Sequence, residues 1–185
     1  MKKICILGLG YVGLPLAVSF GRKYPTFGFD INSKRVDELN GGFDKTEELT
    51  QTDLAEANVK FSSKLSDCRN CDVFIVTVPT PINDNKEPDL EPLENVSKLL
   101  QKILKPGDII IYESTVYPGV TEEVCVPILE RSGLKLNHDF FVGYSPERIN
   151  PGDKVNKLET IKKVVSGSNQ LALDIIAELY ESIIT

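Results

Sequence analysis

The sequence predicts an α/β fold with three layers, in which helices cover both faces of a doubly wound parallel sheet. Short apolar runs alternate with segments of helical spacing along the chain. Several of these runs are rich in β-branched residues and end at glycine or proline, which is typical of buried parallel strands. Because parallel neighbours need a crossover connection, the alternation indicates a helix between successive strands.

An uncharged run near the amino terminus divides into a strand and a helix. The strand Lys3–Leu7 ends at Gly8, and helical spacing resumes over Leu14–Phe20. Two lysines ahead of the run could suggest a signal peptide or a short membrane span. Its glycines, Pro15 and the lack of a small-residue cleavage pattern argue against both. We therefore expect a buried strand and helix in a cytoplasmic protein.

Turn signals separate the elements that follow. The strand Thr26–Asp30 precedes a helix at Ser33–Leu39, which ends at the stop signal Asn40-Gly41-Gly42. The polar segment Asp44–Asn58 is predicted to be helical, and Val59–Ser62 is predicted to be a minor strand.

The second half repeats the alternation with more apolar strands. Asp72–Val78 is β-branched and bounded by Pro79, and the amphipathic helix Leu90–Leu104 stops at Pro106-Gly107. Asp108–Tyr112 is the clearest strand, and the helix behind it, Thr121–Ser132, ends at Gly133. The remaining elements are a strand at Phe140–Val142, a loop at Gly143–Lys157, a strand at Lys163–Ser166 and a helix at Gln170–Ile184.

Length and composition indicate one globular domain with a small ligand. Of 185 residues, 41% are hydrophobic and 26% are charged, which suffices for a core. A net charge of −6 gives no basic field for a nucleic acid backbone, so nucleic acid is not an expected partner. Cys68 and Cys71 form a C-x-x-C pair, but only Cys5, Cys125 and His138 could complete a metal site, so we expect none.

The segment Gly8-Leu9-Gly10-Tyr11-Val12-Gly13 has the pattern G-x-G-x-x-G between a predicted strand and a predicted helix. This context is typical of the Rossmann dinucleotide-binding turn, in which the first glycine permits the turn, the second admits a pyrophosphate and the third allows close packing. The helix amino terminus then favours the anion. A glycine-rich structural turn is the alternative.

Asp30 ends the second strand about 20 residues after the glycines, where a carboxylate binds the adenosine ribose hydroxyls. Its charge would repel a 2′-phosphate, so NAD is favoured over NADP. Lys34 and Arg35 weaken this preference, and Arg35 is included among the candidate cofactor-binding residues. The alternative for Asp30 is a solvated aspartate.

Three later strand ends carry polar residues, and they point toward one crevice because parallel strands end at the same edge of a sheet. They are Val76-Thr77-Val78-Pro79-Thr80-Pro81, the segment from Glu113 through Thr115 to Gly119, and the segment from Tyr144 through Glu147 to Gly152. Alternatives stay open: a plain strand-ending turn for the first, a helix N-cap for Thr115 and a solvated carboxylate paired with Arg148 for Glu147.

Together these motifs resemble the UDP-glucose/GDP-mannose dehydrogenases over essentially the whole chain. The motifs that carry the resemblance are G-L-G-Y-V-G-L-P-L-A from Gly8, D-I-N at Asp30, V-P-T-P at Val78, E-S-T-V at Glu113 and S-P-E-R-I-N-P-G at Ser145. The last is most similar to the branch that acts on UDP-N-acetylhexosamines in capsule and Vi-type polysaccharide synthesis.

The resemblance implies NAD-dependent oxidation of a sugar C6 alcohol to a carboxylate, in two steps through a thiohemiacetal and a thioester on a cysteine. It implies catalytic roles for Glu147 in thioester hydrolysis and for Thr115 in holding the water, and it places Thr80 and Pro81 beside the nicotinamide. Substrate-binding residues are then Glu147, Arg148, Ile149 and Asn150.

The same resemblance implies that residues 1–185 are the NAD-binding domain of a longer enzyme, which is a homodimer or a larger oligomer. The nucleophilic cysteine, the dimerising helix and the domain that binds the UDP-sugar would follow residue 185, so this piece alone is expected to be inactive. A β-hydroxyacid dehydrogenase and a non-enzymatic NAD-sensing regulatory domain are the other classes compatible with the glycine turn and Asp30.

Overall fold

A seven-stranded sheet organises the computed structural model, which describes residues 2–82, 85–147 and 162–184. The strands are β1 (Ile4–Leu7), β2 (Thr26–Phe29), β3 (Val59–Ser62), β4 (Val73–Val76), β5 (Ile109–Tyr112), β6 (Phe141–Tyr144) and β7 (Ser166–Gly167). Their order across the sheet is β3-β2-β1-β4-β5-β6-β7, and β1 to β6 are parallel. The predicted doubly wound sheet is confirmed.

Helices cover both faces of this sheet. They are α1 (Gly13–Gly21), α2 (Ser33–Asn40), α3 (Gln51–Glu56), α4 (Glu91–Leu100), α5 (Val126–Leu129) and α6 (Gln170–Glu181). A 3-10 turn precedes β4 at Leu65–Cys68, and α5 lies between a π-helical turn at Thr121–Cys125 and a 3-10 turn at Glu130–Ser132. Pro127, which has no N–H to donate, stands at the start of α5 and accounts for the irregular hydrogen bonding before it.

Alternate residues of the buried strands pack into two cores, one on each face. Ile109 and Ile111 of β5 face the core under α1 and α6, whereas Ile110 and Tyr112 face the core under α4 and α5. All four side chains are at most 1% exposed. The two-residue period of a strand thus explains why these strands are apolar throughout rather than alternating.

The free cysteines Cys5, Cys68, Cys71 and Cys125 are buried in the second of these cores. The interpretation of Cys5 and Cys125 as small core residues is confirmed. Burial raises the pKa of the Cys5 thiol, and its hydrogen bonds with Cys68 and Cys71 raise it further.

Among the described helices, none is both long and apolar enough to cross a bilayer.

Besides the predicted helix Thr121–Ser132, which is divided into a π-helical turn, α5 and a 3-10 turn, and small shifts of element bounds, two parts of the structure differ from the sequence prediction. The segment Asp44–Asn58 is helical only over Gln51–Glu56, because the Asp44 carboxylate accepts hydrogen bonds from the backbone N–H groups of Thr46, Glu48 and Leu49 and satisfies them outside a helix.

The last strand is the second difference, since β7 covers Ser166–Gly167 rather than Lys163–Ser166 and runs antiparallel to β6. Gly167 lies directly against α6, where an added Cβ would be 2.4 Å from the Leu173 backbone nitrogen. This close approach of α6 leaves β7 as a short edge strand.

Candidate functional site

The carboxyl ends of the central strands surround a cavity of about 550 Å³. It lies where β1 separates β2 from β4, the point at which the strand order reverses and where open α/β sheets bind their ligands. Its lining residues are Gly8, Leu9, Gly10, Tyr11, Val12, Asp30, Thr77, Val78, Pro79, Thr80, Pro81, Glu113, Ser114, Thr115 and Glu147. Most residues proposed from the sequence therefore share one cavity.

The glycine turn connects β1 to α1 and needs each of its glycines for a different reason. Gly8 has a φ of +100°, a conformation that residues with a Cβ rarely adopt. An added Cβ on Gly13 would lie 1.9 Å from the Gly8 carbonyl oxygen and 2.3 Å from Thr77 Oγ1. No atom lies within 4 Å of the Cβ position of Gly10, so the space above this residue is open to a ligand.

Asp30 ties the end of β2 to the glycine turn. One carboxylate oxygen accepts a hydrogen bond of 2.8 Å from the Leu9 N–H, and the other accepts one of 2.9 Å from the Asn32 N–H. Each oxygen keeps a further lone pair that can accept from a hydroxyl. The two hydrogen bonds thus fix the orientation of the carboxylate beside the cavity.

Arg35, proposed from the sequence as a cofactor-binding residue, lies behind the turn and is not among the residues that line the cavity. Its side chain is 4% exposed, and Nε donates to the Leu9 carbonyl at 2.9 Å. The guanidinium also pairs with the fully buried Asp44 carboxylate at 2.7 Å. Burial by itself would raise the pKa of Asp44, but hydrogen bonds from Thr46 and Arg35 lower it below its usual value. Asp44 was not identified from the sequence.

Thr80 and Ser114 join the ends of β4 and β5. Thr80 Oγ1 donates to the Thr115 carbonyl at 2.7 Å, and Ser114 Oγ donates to the Val78 carbonyl at 2.5 Å. Thr115 itself is exposed at the cavity, as is Pro81. These bonds fix the two loops relative to each other across the sheet.

Glu147 follows β6, and its backbone N–H donates to the Glu113 carbonyl at 3.2 Å. Its carboxylate lines the cavity and lies 3.4 Å from the Lys163 ammonium. Lys163 also pairs with Glu113 at 2.6 Å, and the Tyr180 hydroxyl donates to the other oxygen of Glu113. The sequence analysis did not single out Lys163 or Tyr180, because neither belongs to a local motif. The remaining proposed substrate-binding residues, Arg148, Ile149 and Asn150, lie outside the described residues.

A glycine turn that opens a helix, an acidic residue at the end of the second strand and a crevice at the reversal of strand order define a Rossmann dinucleotide-binding domain. The chain belongs to the UDP-glucose/GDP-mannose dehydrogenase family, since the model of the NAD binding domain of that family matches residues 2–184. This assignment favours the nucleotide-sugar dehydrogenases over the β-hydroxyacid dehydrogenases and the NAD-sensing regulatory domains. It also confirms NAD as the cofactor.

The chain is similar to several enzymes that act on nucleotide sugars. It is 57% identical over 185 residues to UDP-N-acetyl-D-glucosamine 6-dehydrogenase of Pseudomonas aeruginosa, covering 99% of this chain and 44% of that protein. The corresponding enzyme of Salmonella typhi is 55% identical, with the same coverage. The solved structure of UDP-D-ManNAc dehydrogenase from Pyrococcus horikoshii has a TM-score of 0.91 and 32% identity, covering 99% of this chain and 45% of that one. The chain thus spans less than half the length of these relatives.

Proposed function

We propose that this chain supplies the NAD site and part of the active site of a UDP-N-acetylhexosamine 6-dehydrogenase. The observation that carries the proposal is the shared cavity, which the glycine turn and Asp30 line together with Thr115 and Glu147. A cofactor site alone would account for the first two features. The Glu147 carboxylate and the Thr115 hydroxyl, at the neighbouring strand ends, add to this crevice a group that can accept a proton and a group that can bind a water.

The residues present fit NAD. The open space above Gly10 admits a pyrophosphate at the amino terminus of α1, where the helix dipole favours an anion. Asp30 accepts the ribose hydroxyls, and Thr80, Pro81 and Thr115 lie on loops beside the nicotinamide end. When bound, NAD supplies a hydride acceptor for the sugar C6 carbon.

Glu147 is the base in this proposal. A general base needs to be within hydrogen-bond reach of the water that it deprotonates, and Thr115 offers a hydroxyl on the same cavity wall to hold that water. The family resemblance assigns this step to hydrolysis of the acyl-enzyme. Glu147 is therefore expected to matter more for release of the carboxylate than for the first oxidation.

The substrate and setting are proposed from the relatives. Two of them, at 57% and 55% identity, are named as UDP-N-acetyl-D-glucosamine 6-dehydrogenases. A UDP-N-acetylhexosamine is therefore the proposed substrate, in cytoplasmic synthesis of a capsule or other surface polysaccharide. The nucleophilic cysteine, most of the uridine pocket and the homodimer contacts are assigned to the part of the relatives' length that this chain does not match.

A hybrid protein tests the proposal, with residues 1–185 in place of the matching 44% of the Pseudomonas enzyme. We expect the hybrid to oxidise UDP-N-acetylglucosamine and to form two NADH per sugar, since an alcohol becomes a carboxylate by loss of four electrons. UDP-glucose is expected to react more slowly. A hybrid that oxidises UDP-glucose in preference to both UDP-N-acetylhexosamines would contradict the substrate class.

The same hybrid tests Glu147. Glu147→Gln is expected to lower steady turnover at least 100-fold and to accumulate an acyl-enzyme, visible as added mass on the protein, because both hydride transfers precede the hydrolysis that needs the base. Glu178→Gln, on the exposed face of α6, is the matched control and should turn over normally. Full turnover by Glu147→Gln would exclude Glu147 as the base.

A further inference from the structure

Four titratable side chains from distant parts of the chain meet at the cavity. Glu113 follows β5, Glu147 follows β6, Lys163 precedes β7 and Tyr180 belongs to α6. The Lys163 ammonium lies 2.6 Å from Glu113 Oε2 and 3.4 Å from Glu147 Oε2, and 5.8 Å from the centre of the Tyr180 ring. The Tyr180 hydroxyl donates to Glu113 Oε1. These four residues are called the lysine cluster below.

Burial differs across the lysine cluster in a way that separates two roles. The side chains of Glu113 and Lys163 are 0% and 2% exposed, whereas that of Glu147 is 12% exposed. A buried ammonium without a counter-ion would cost several kcal/mol, so Lys163 needs a carboxylate that is always present. Glu113, with the shorter contact and no solvent exposure, is that counter-ion.

Glu113 is itself held by more than the ammonium. Burial raises the pKa of Glu113, and this is opposed by the Lys163 charge and by hydrogen bonds from Lys163 and Tyr180. One of its oxygens is bound by Lys163 and the other by Tyr180. The ammonium is thus anchored on a rigid partner, and its second, longer contact is available to act on Glu147.

We propose that Lys163 is the positioning residue of Glu147: Glu113 fixes its ammonium, which in turn holds the Glu147 carboxylate in place at the cavity. A base must be correctly oriented before a water can lose a proton to it. The proposal rests on the function proposed for Glu147 above. Its test does not, because it measures the carboxylate directly in the chain without substrate.

The test is carbon-13 NMR of the glutamate carboxyl groups in residues 1–185 at neutral pH, with the Glu147 signal identified by its loss in Glu147→Gln. Glu113 also acts on Glu147 through its charge, and the neutral Tyr180 hydroxyl acts through its hydrogen bond to Glu113, so both are kept in the single variants. In Lys163→Met the Glu147 carboxyl signal should shift and broaden, because the carboxylate has lost the ammonium that holds it. Lys163→Arg keeps the charge and should restore the signal.

A second variant separates positioning from structure. Lys163→Met leaves Glu113 buried without its counter-ion, which can unfold the chain, whereas Glu113→Gln combined with Lys163→Met removes both buried charges. The double variant should fold, as judged by its thermal unfolding. Its Glu147 signal should differ from that of Glu113→Gln, which lacks the same carboxylate but keeps the ammonium. A Glu147 signal of the same position and width in these two variants would overturn the proposal.

Discussion

Asp30 has two functions at the scale of single residues. Its carboxylate binds the Leu9 N–H of the glycine turn, so it stabilises the cofactor site before any cofactor arrives. It also carries the negative charge that should discriminate between cofactors. The sequence predicted the second function from spacing, whereas the first depends on a contact between residues 21 positions apart and could be seen only in the structure.

The charge of Asp30 leads to a prediction about cofactor choice. NADH should bind residues 1–185 more tightly than NADPH, and Asp30→Ala should narrow the gap by roughly tenfold or more, since juxtaposed like charges cost several kcal/mol. Asp30→Asn removes the charge but keeps one oxygen for the Leu9 N–H, so it separates repulsion from loss of the turn contact. Fluorescence titration measures the affinities of all three proteins for both cofactors. Equal affinities in the unmodified chain would exclude this interpretation.

Asp108 leads to a prediction about stability and pH. It precedes β5 with its side chain 1% exposed, and burial raises its pKa to about 6 although Lys105 binds it through both backbone N–H and ammonium. The native state therefore holds this proton more tightly than the unfolded chain does. Asp108 contributes stability below about pH 4, and this contribution is lost as the pH rises through about 6.

Asp108→Asn should remove that pH dependence. The free energy of unfolding of the unmodified chain, minus that of the variant, is expected to fall by up to roughly 3 kcal/mol between pH 4 and pH 7. Urea unfolding at several pH values measures the difference. Asp174→Asn, on the exposed face of α6, is the control, and its free energy of unfolding should differ from that of the unmodified chain by a small amount at each pH. A difference that does not vary with pH would show that burial does not raise this pKa.

At the scale of elements, local signals predicted regular structure well and failed where side chains replace it. The glycine turn follows from its own residues, because the strand before it and the helix after it are both apolar. The segment Asp44–Asn58 was wrongly predicted to be helical throughout, because its polar residues suit a helix. In the structure the Asp44 carboxylate accepts hydrogen bonds from the backbone N–H groups of Glu48 and Leu49 instead. Its partner Arg35 was proposed for the cofactor from its position shortly after Asp30, and the buried ion pair that it forms leaves no periodic signal in the sequence.

The glycine turn gives a matched pair of variants. Gly13→Ala should lower the thermal midpoint and abolish NAD binding, because the new Cβ would overlap the Gly8 carbonyl at 1.9 Å. Gly10→Ala meets no atom within 4 Å, so the fold should be unchanged while NAD affinity falls at least tenfold. Calorimetry and thermal unfolding measure both quantities. NAD binding by Gly10→Ala at the unmodified affinity would mean that the pyrophosphate does not lie over this turn.

At the scale of the whole molecule, the sheet topology explains why distant motifs form one site. The parallel direction of β1 to β6 follows from the alternation of strands and helices, and it brings Thr80, Thr115 and Glu147 to one edge. Lys163 and Tyr180 reach that edge through hydrogen bonds to Glu113, from which they are separated by 50 and 67 residues in the sequence. Such contacts depend on how β7 and α6 pack, and sequence spacing carries no record of them.

The central claim, that residues 1–185 form an NAD site, is tested most directly by thermal unfolding at increasing NAD concentration. A ligand that binds only the native state stabilises it by about 2.7 kcal/mol at 100 times its dissociation constant, which corresponds to roughly 5–10 °C for a chain of this size. We predict a midpoint that rises continuously with NAD in the unmodified chain, and that in Gly10→Ala the same rise needs at least ten times more NAD. A midpoint that is unchanged at millimolar NAD, or that rises equally in both proteins, would contradict the account.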